Sequence, residues 1–144
     1  MNTDDYRKVE AMLYNYKNTK AEIKILKRKL EIIENDYNGV KRLSYNEKST
    51  PTNKFNSDVE NEVIKRSENI QKIKNEIRLK EIEIENIDDA LTILNDEEFL
   101  FVSERYFNGK TNKYIASILN VTEQTSCDYK NKIITKLMSL LISD

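Results

Sequence analysis

The sequence contains no histidine and no tryptophan, one cysteine, one proline and only two glycines. Because histidine and cysteine are the commonest zinc ligands, and one cysteine cannot form a disulfide within a chain, we expect no metal, no organic cofactor and a reducing compartment. So few glycines and prolines disfavour hairpin turns and glycine loops that cradle phosphates. No spacing of acids, bases or nucleophiles indicates a catalytic cluster, so we expect that the protein is not an enzyme.

A long apolar run is also missing. No stretch of about 18 apolar residues occurs, and the first residues, MNTDDYRK, lack the apolar core of a signal peptide. We therefore expect a cytoplasmic protein without a membrane partner. The formal net charge is -1 over 144 residues, so the chain lacks the basic excess of many nucleic-acid-binding proteins.

Two segments instead repeat mostly apolar residues at alternating spacings of three and four, which is typical of a coiled-coil seam. The polar residues Thr19, Arg66 and Lys80 interrupt the two seams. The first seam is Val9, Met12, Tyr16, Thr19, Ile23, Leu26, Leu30, Ile33, Tyr37 and Val40. The second is Val59, Val63, Arg66, Ile70, Ile73, Ile77, Lys80, Ile84, Ile87, Leu91 and Leu94. A connector near residues 41–57 separates them, so residues 1–94 are predicted to form a long antiparallel helical hairpin. Met12 can face either Leu91 or Ile84 in that hairpin.

Residues 95–144 lose the heptad pattern and are predicted to form three short helices. Asn95 with Glu98 three residues later is a capping box, Thr111 and Thr122 are predicted N-caps, and Asn120 lies where a tight turn needs left-handed geometry. The residues predicted to face inward are Ile115, Ala116, Leu119, Val121, Ser126, Tyr129 and Ile133. This spacing indicates a helix-turn-helix, so the predicted fold class is all-α, with a coiled-coil hairpin followed by a three-helix bundle.

A family resemblance supports this interpretation. The segment ERYFNGKTNKYIASILNVTEQTSCDYKNKIITKL resembles region four of bacterial sigma factors, in which an Arg-Tyr-Phe helix precedes the helix-turn-helix. Together with the heptad-rich N-terminal part, the chain resembles the small phage transcriptional activators of the RinA and ArpU kind. The resemblance implies sequence-specific binding of promoter DNA and activation of phage late genes with host RNA polymerase.

The resemblance also implies which residues face DNA. On the predicted recognition helix these are Glu123, Gln124, Cys127, Asp128, Asn131 and Lys132, with Thr122 at the phosphate edge and Lys136 and Lys113 supplying charge. Because an amide can donate and accept at once, Gln124 and Asn131 are the expected readers of adenine. Sigma factors place several arginines on this helix, and this chain has lysines only.

The near-neutral charge of the C-terminal part leaves other interpretations open. Residues 96–144 carry six basic and seven acidic side chains, so one domain is expected to bind DNA weakly and a homodimer to compensate. A coiled-coil adaptor that binds RNA polymerase or another regulator without touching DNA is therefore one alternative. A phage small terminase subunit is another, although those proteins usually carry the DNA-binding part at the N-terminus.

Overall fold

The computed structural model describes the backbone of residues 3–46 and 53–142 and the side chains of residues 3–36 and 58–142. Every regular element within these ranges is helical, which confirms the all-α class. The helices are α1 (Thr3–Tyr14), α2 (Tyr16–Asn46), α3 (Asn53–Leu91), α4 (Asp96–Val102), α5 (Asn112–Leu119) and α6 (Glu123–Leu141). A π-helical turn, Ser103–Phe107, continues α4. Within the described part of the chain, no helix is long and apolar enough to cross a membrane.

The predicted connector near residues 41–57 is too long. Helix α2 continues to Asn46 and α3 begins at Asn53, so most of that segment is helical. Lys41, Arg42 and Leu43 are good helix formers, so α2 continues past Gly39. The seam positions Tyr37 and Val40 lie outside the described side chains.

The chain divides into two compact units, and the first comprises residues 21–81. Its α2 and α3 segments contact each other through ion pairs, Lys27 with Glu81 at 3.3 Å and Lys74 with Glu34 at 3.4 Å. Seven residues forward on α2 correspond to seven residues backward on α3, so the two segments run antiparallel. The seam residues Ile23, Ile73 and Ile77 are buried between polar flanks. Exposed ion pairs contribute about 0 to 1 kcal/mol each, so the buried isoleucines provide most of the stabilisation.

The second unit comprises residues 1–20 and 82–144. Its core joins residues from every helix of the unit: Val9, Leu13, Ile87, Ala90, Leu91, Phe101, Val102, Tyr106, Ile115, Ile133, Ile134 and Leu137. The heptad pattern predicts that residues 1–20 and 82–94 belong to a separate hairpin. In the structure they pack with the C-terminal helices. Helices α4 to α6 are too short to form a core by themselves, and α1 and the end of α3 supply the further apolar side chains that the core needs.

The seam on α1 is rotated from the predicted one. The fully buried residues are Val9 and Leu13, whereas the predicted seam residue Met12 is half-buried. Asn15 separates α1 from α2, although its backbone N–H still donates to the Ala11 carbonyl oxygen at 2.9 Å. Beyond it, the Tyr16 hydroxyl donates to Asp88, so the beginning of α2 lies against the end of α3.

Candidate nucleic-acid interface

Helices α5 and α6 are joined by a tight turn whose geometry depends on three capping residues. Thr111 accepts a hydrogen bond from the Tyr114 N–H and begins α5, and Thr122 accepts one from the Thr125 N–H and begins α6. Between them Asn120 has φ 58° and ψ 45°, the left-handed conformation that asparagine tolerates better than other residues with a side chain. The predicted caps and the predicted turn residue are confirmed.

One side of α6 lies in the core of the unit. Ser126, Ile133, Ile134 and Leu137 are fully buried, and Tyr129 is half-buried with its ring edge-on to Phe101 at 5.6 Å. This confirms the predicted inward positions on α6. Val121, which was predicted to fill the corner of the turn, is 40% exposed, so that prediction is wrong. Leu119, which is also predicted to face inward, is half-buried and packs against the core.

The opposite side of α6 is an exposed polar face. At 100° per residue, Gln124, Asp128 and Lys132 lie on the side facing away from Ser126 and Ile133. All three side chains are exposed, as is that of Glu123 in the first turn. The Gln124 amide donates to the Asp128 carboxylate at 3.1 Å, so these two side chains orient each other. We call Gln124, Asp128, Asn131 and Lys132 the polar face below.

The beginning of α6 is tied to α5 by a single amide. Asn112 Nδ2 donates to the Glu123 carbonyl oxygen at 3.1 Å and approaches the Cys127 sulfur at 3.5 Å. Cys127 is half-buried and carries a free thiol. These contacts point Cys127 toward α5 and leave it only partly accessible, so the structure moves it to the margin of the polar face.

Helix α1 borders the polar face one turn along α6 from Cys127, a contact that the local sequence does not indicate. The Tyr6 hydroxyl donates to Asn131 Oδ1 at 2.7 Å. One turn later Glu10 forms an ion pair with Lys130 at 3.6 Å and accepts a hydrogen bond from the Tyr106 hydroxyl at 2.8 Å. Burial, reinforced by Glu10, raises the pKa of Tyr106 far above its ordinary range and that of Tyr6 to about 12. Both hydroxyls therefore keep their protons at neutral pH.

Lys136 is not available for phosphate in the way that the sequence suggested. Its ammonium group lies 2.7 Å from Glu98 on α4, a carboxylate whose side chain is only 3% exposed. Glu98 also accepts from the Asn95 backbone N–H at 3.0 Å, which completes the predicted capping box. Burial alone would raise the pKa of Glu98, but the hydrogen bonds from Lys136 and Asn95 outweigh it and hold the pKa below its ordinary value.

The positive charge left around the motif is small. Lys130 and Lys136 are both ion-paired, and Arg105 donates to the Lys110 carbonyl oxygen at 3.1 Å. Lys113 and Lys132 are exposed, and Lys110 lies 5.2 Å from the centre of the Tyr114 ring. Against them stand Glu123 and Asp128 on or beside the polar face. The surface is therefore polar and close to neutral, and it can bind a partner through hydrogen bonds more than through charge.

Of the nine residues proposed from sequence, the structure brings Gln124, Asp128, Asn131 and Lys132 to one exposed side of α6, and Glu123 is exposed in its first turn. Thr122 acts as the cap at its beginning, and Lys113 lies in the first turn of α5. Among the residues with described side chains, no three carboxylates or thiols converge as metal ligands would. No protein-family model matches the chain, and neither the curated proteins nor the solved structures contain a significant match to it.

Proposed function

We propose that the protein is a sequence-specific DNA-binding transcriptional regulator whose α6 lies in the major groove. One observation carries the proposal: a capped helix follows a tight left-handed turn, buries one side in a core and exposes an uninterrupted polar face on the other. That arrangement suits a recognition helix, because α6 can enter a groove about 12 Å wide without unfolding the bundle. The resemblance to sigma region four and to phage late-gene activators favours the same function.

The direct test is selection of bound DNA from a random pool, followed by affinity measurements on the enriched sequence. Gln124→Ala is expected to weaken binding to that sequence by about 1 to 3 kcal/mol and to relax preference at one base pair. Lys113→Ala is the matched control on α5, because it is expected to weaken all sequences about equally. Enrichment of no sequence by the unaltered protein would contradict the proposal.

We further propose that the protein acts as a homodimer through residues 21–81. Ile25, Ile32 and Leu79 are 59%, 62% and 70% exposed there, and covering such side chains would stabilise a dimer. A dimer would also double the few lysines available to one domain. Sedimentation equilibrium tests this idea directly. A strict monomer at tens of micromolar concentration, with and without DNA, would contradict it.

A regulator of this kind would act in the cytoplasm, with promoter DNA and host RNA polymerase as partners. The ion pairing of Lys130 and Lys136 favours one second candidate, a coiled-coil adaptor that binds polymerase or another regulator without DNA contact. Capture of host RNA polymerase by the purified protein, together with no DNA enrichment in the selection, would favour the adaptor. Capture together with a selected sequence would favour an activator.

A further inference from the structure

Asn131 differs from the other members of the polar face because its amide is held by a residue outside the helix-turn-helix. The Tyr6 hydroxyl donates to Asn131 Oδ1, so the amide oxygen points toward α1 and the amide nitrogen points away from the Tyr6 hydroxyl. Helix α1 cannot easily release it, because Val9 and Leu13 on the same helix are 0% exposed in the core. Asn131 itself remains exposed. Its hydrogen-bonding orientation is therefore set before any DNA binds.

The orientation of the Asn131 amide limits the base edges that it can recognise. A free asparagine reads adenine by donating to N7 and accepting from N6. When a tyrosine hydroxyl already donates to the amide oxygen, the side chain presents its N–H groups to DNA and has less capacity to accept. Base edges in the major groove that offer only acceptors there are those of guanine, with N7 and O6, and of thymine, with O4.

Resting on the proposed function, we infer that Tyr6 is a positioning residue that makes Asn131 read an acceptor edge, guanine first, in place of adenine. The half-buried Tyr6 donates this hydrogen bond throughout the physiological pH range. Helix α1 thereby takes part in sequence preference although Tyr6 lies 125 residues before Asn131 in sequence. The expectation drawn from sequence, that Asn131 reads adenine, is replaced by this one.

The test compares the base preferences of four proteins in selection from a random DNA pool: the unaltered protein, Asn131→Ala, Tyr6→Phe and Tyr14→Phe. Asn131→Ala identifies the base position that Asn131 reads. At that position the unaltered protein is expected to prefer guanine or thymine over adenine. Tyr6→Phe keeps the ring and frees the amide, so the ratio of guanine to adenine affinity should fall about fivefold or more. Tyr14→Phe is the matched control, since that ring packs on Tyr106.

The outcomes separate this inference from the function on which it rests. Enrichment of no sequence by the unaltered protein rejects both. A selected sequence with adenine at the position that Asn131 reads overturns the inference alone, and this result needs no Tyr6 variant, so it stands even if Tyr6→Phe folds poorly. An unchanged guanine-to-adenine ratio in a folded Tyr6→Phe protein also overturns it. In the double variant Tyr6→Phe/Asn131→Ala, the ratio should match that of Asn131→Ala alone.

Discussion

The hydroxyl of Tyr6 lies 2.7 Å from the side-chain oxygen of Asn131, although 125 residues separate the two in sequence. The ion pair between Glu10 and Lys130 joins the same two helices one turn further along α1. Helix α1 therefore belongs structurally to the bundle that holds α6. Changes in α1 should alter both the stability of that bundle and the surface that α6 presents.

Leu13→Ala tests whether α1 stabilises the bundle that holds α6. Leu13 is 0% exposed in the core of the unit, so its truncation should lower the free energy of unfolding by about 2 to 5 kcal/mol. Met12→Ala, at the neighbouring half-buried position, should cost less. Urea unfolding followed by circular dichroism measures both variants. Equal losses, or a larger loss for Met12→Ala, would mean that α1 packs in the rotation that the heptad seam predicted.

Glu98 should make stability depend on pH in the acid range. Its pKa is lowered in the folded state, so its contribution is fully present above the ordinary carboxyl pKa of about 4.3 and is lost as pH falls through the folded value. Glu98→Gln should cost about 1 to 3 kcal/mol at pH 7 and should flatten the acid decline. Glu97→Gln, the same charge change at an exposed neighbour, should do neither. Parallel acid declines for the unaltered protein and Glu98→Gln would contradict this assignment.

Ser126 should be replaceable with a gain in stability. It is 0% exposed, and among the residues with described side chains its hydroxyl has no hydrogen-bond partner. Because burying an unsatisfied hydroxyl is costly, Ser126→Ala should raise the free energy of unfolding by about 1 kcal/mol. Thr125→Ala is the control, since the Thr125 hydroxyl pairs with Thr122 at 2.8 Å. A lower melting temperature for Ser126→Ala than for the unaltered protein would contradict this prediction.

The left-handed turn at Asn120 predicts opposite effects on stability for two substitutions. Asn120→Ala should lower the free energy of unfolding by about 1 kcal/mol, because a residue with Cβ and no side-chain hydrogen bond is strained at φ 58°. Asn120→Gly should be neutral or stabilising, since glycine adopts that conformation freely. Thermal unfolding of the two variants side by side decides the matter. The reverse order would show that the turn does not keep this conformation in solution.

Local features of the fold could be predicted from the sequence, and contacts between distant segments could not. The caps at Asn95, Thr111 and Thr122 and the turn at Asn120 depend on residues within three or four positions of one another, so a short window of sequence contains their physical cause. The seam residues Ile23, Ile73, Ile77 and Ile84 are likewise buried because heptad spacing places them on one helix face.

In the candidate site, too, local features could be predicted from the sequence and contacts between helices could not. The rotation of α6 follows from the spacing of Ser126 and Ile133, so the exposed position of Gln124 and Lys132 was predictable. The partners of Asn131 and Lys136 were not, because Tyr6 and Glu98 lie in other helices and nothing in the local sequence points to them. A weak signal existed for Tyr6, which stands three residues before Val9 on the side of α1 that becomes buried.

The measurement that tests the proposed function most directly is the salt dependence of DNA affinity for the unaltered protein and Lys132→Ala on the selected sequence. With Lys110, Lys113 and Lys132 as phosphate contacts, log affinity against log salt should have a slope of about -2 to -3 per protomer. Lys132→Ala should make the slope shallower by about one, whereas Lys24→Ala, an exposed lysine of the unit of residues 21–81, should not. Identical slopes and affinities for all three folded proteins would show that α6 does not lie against DNA.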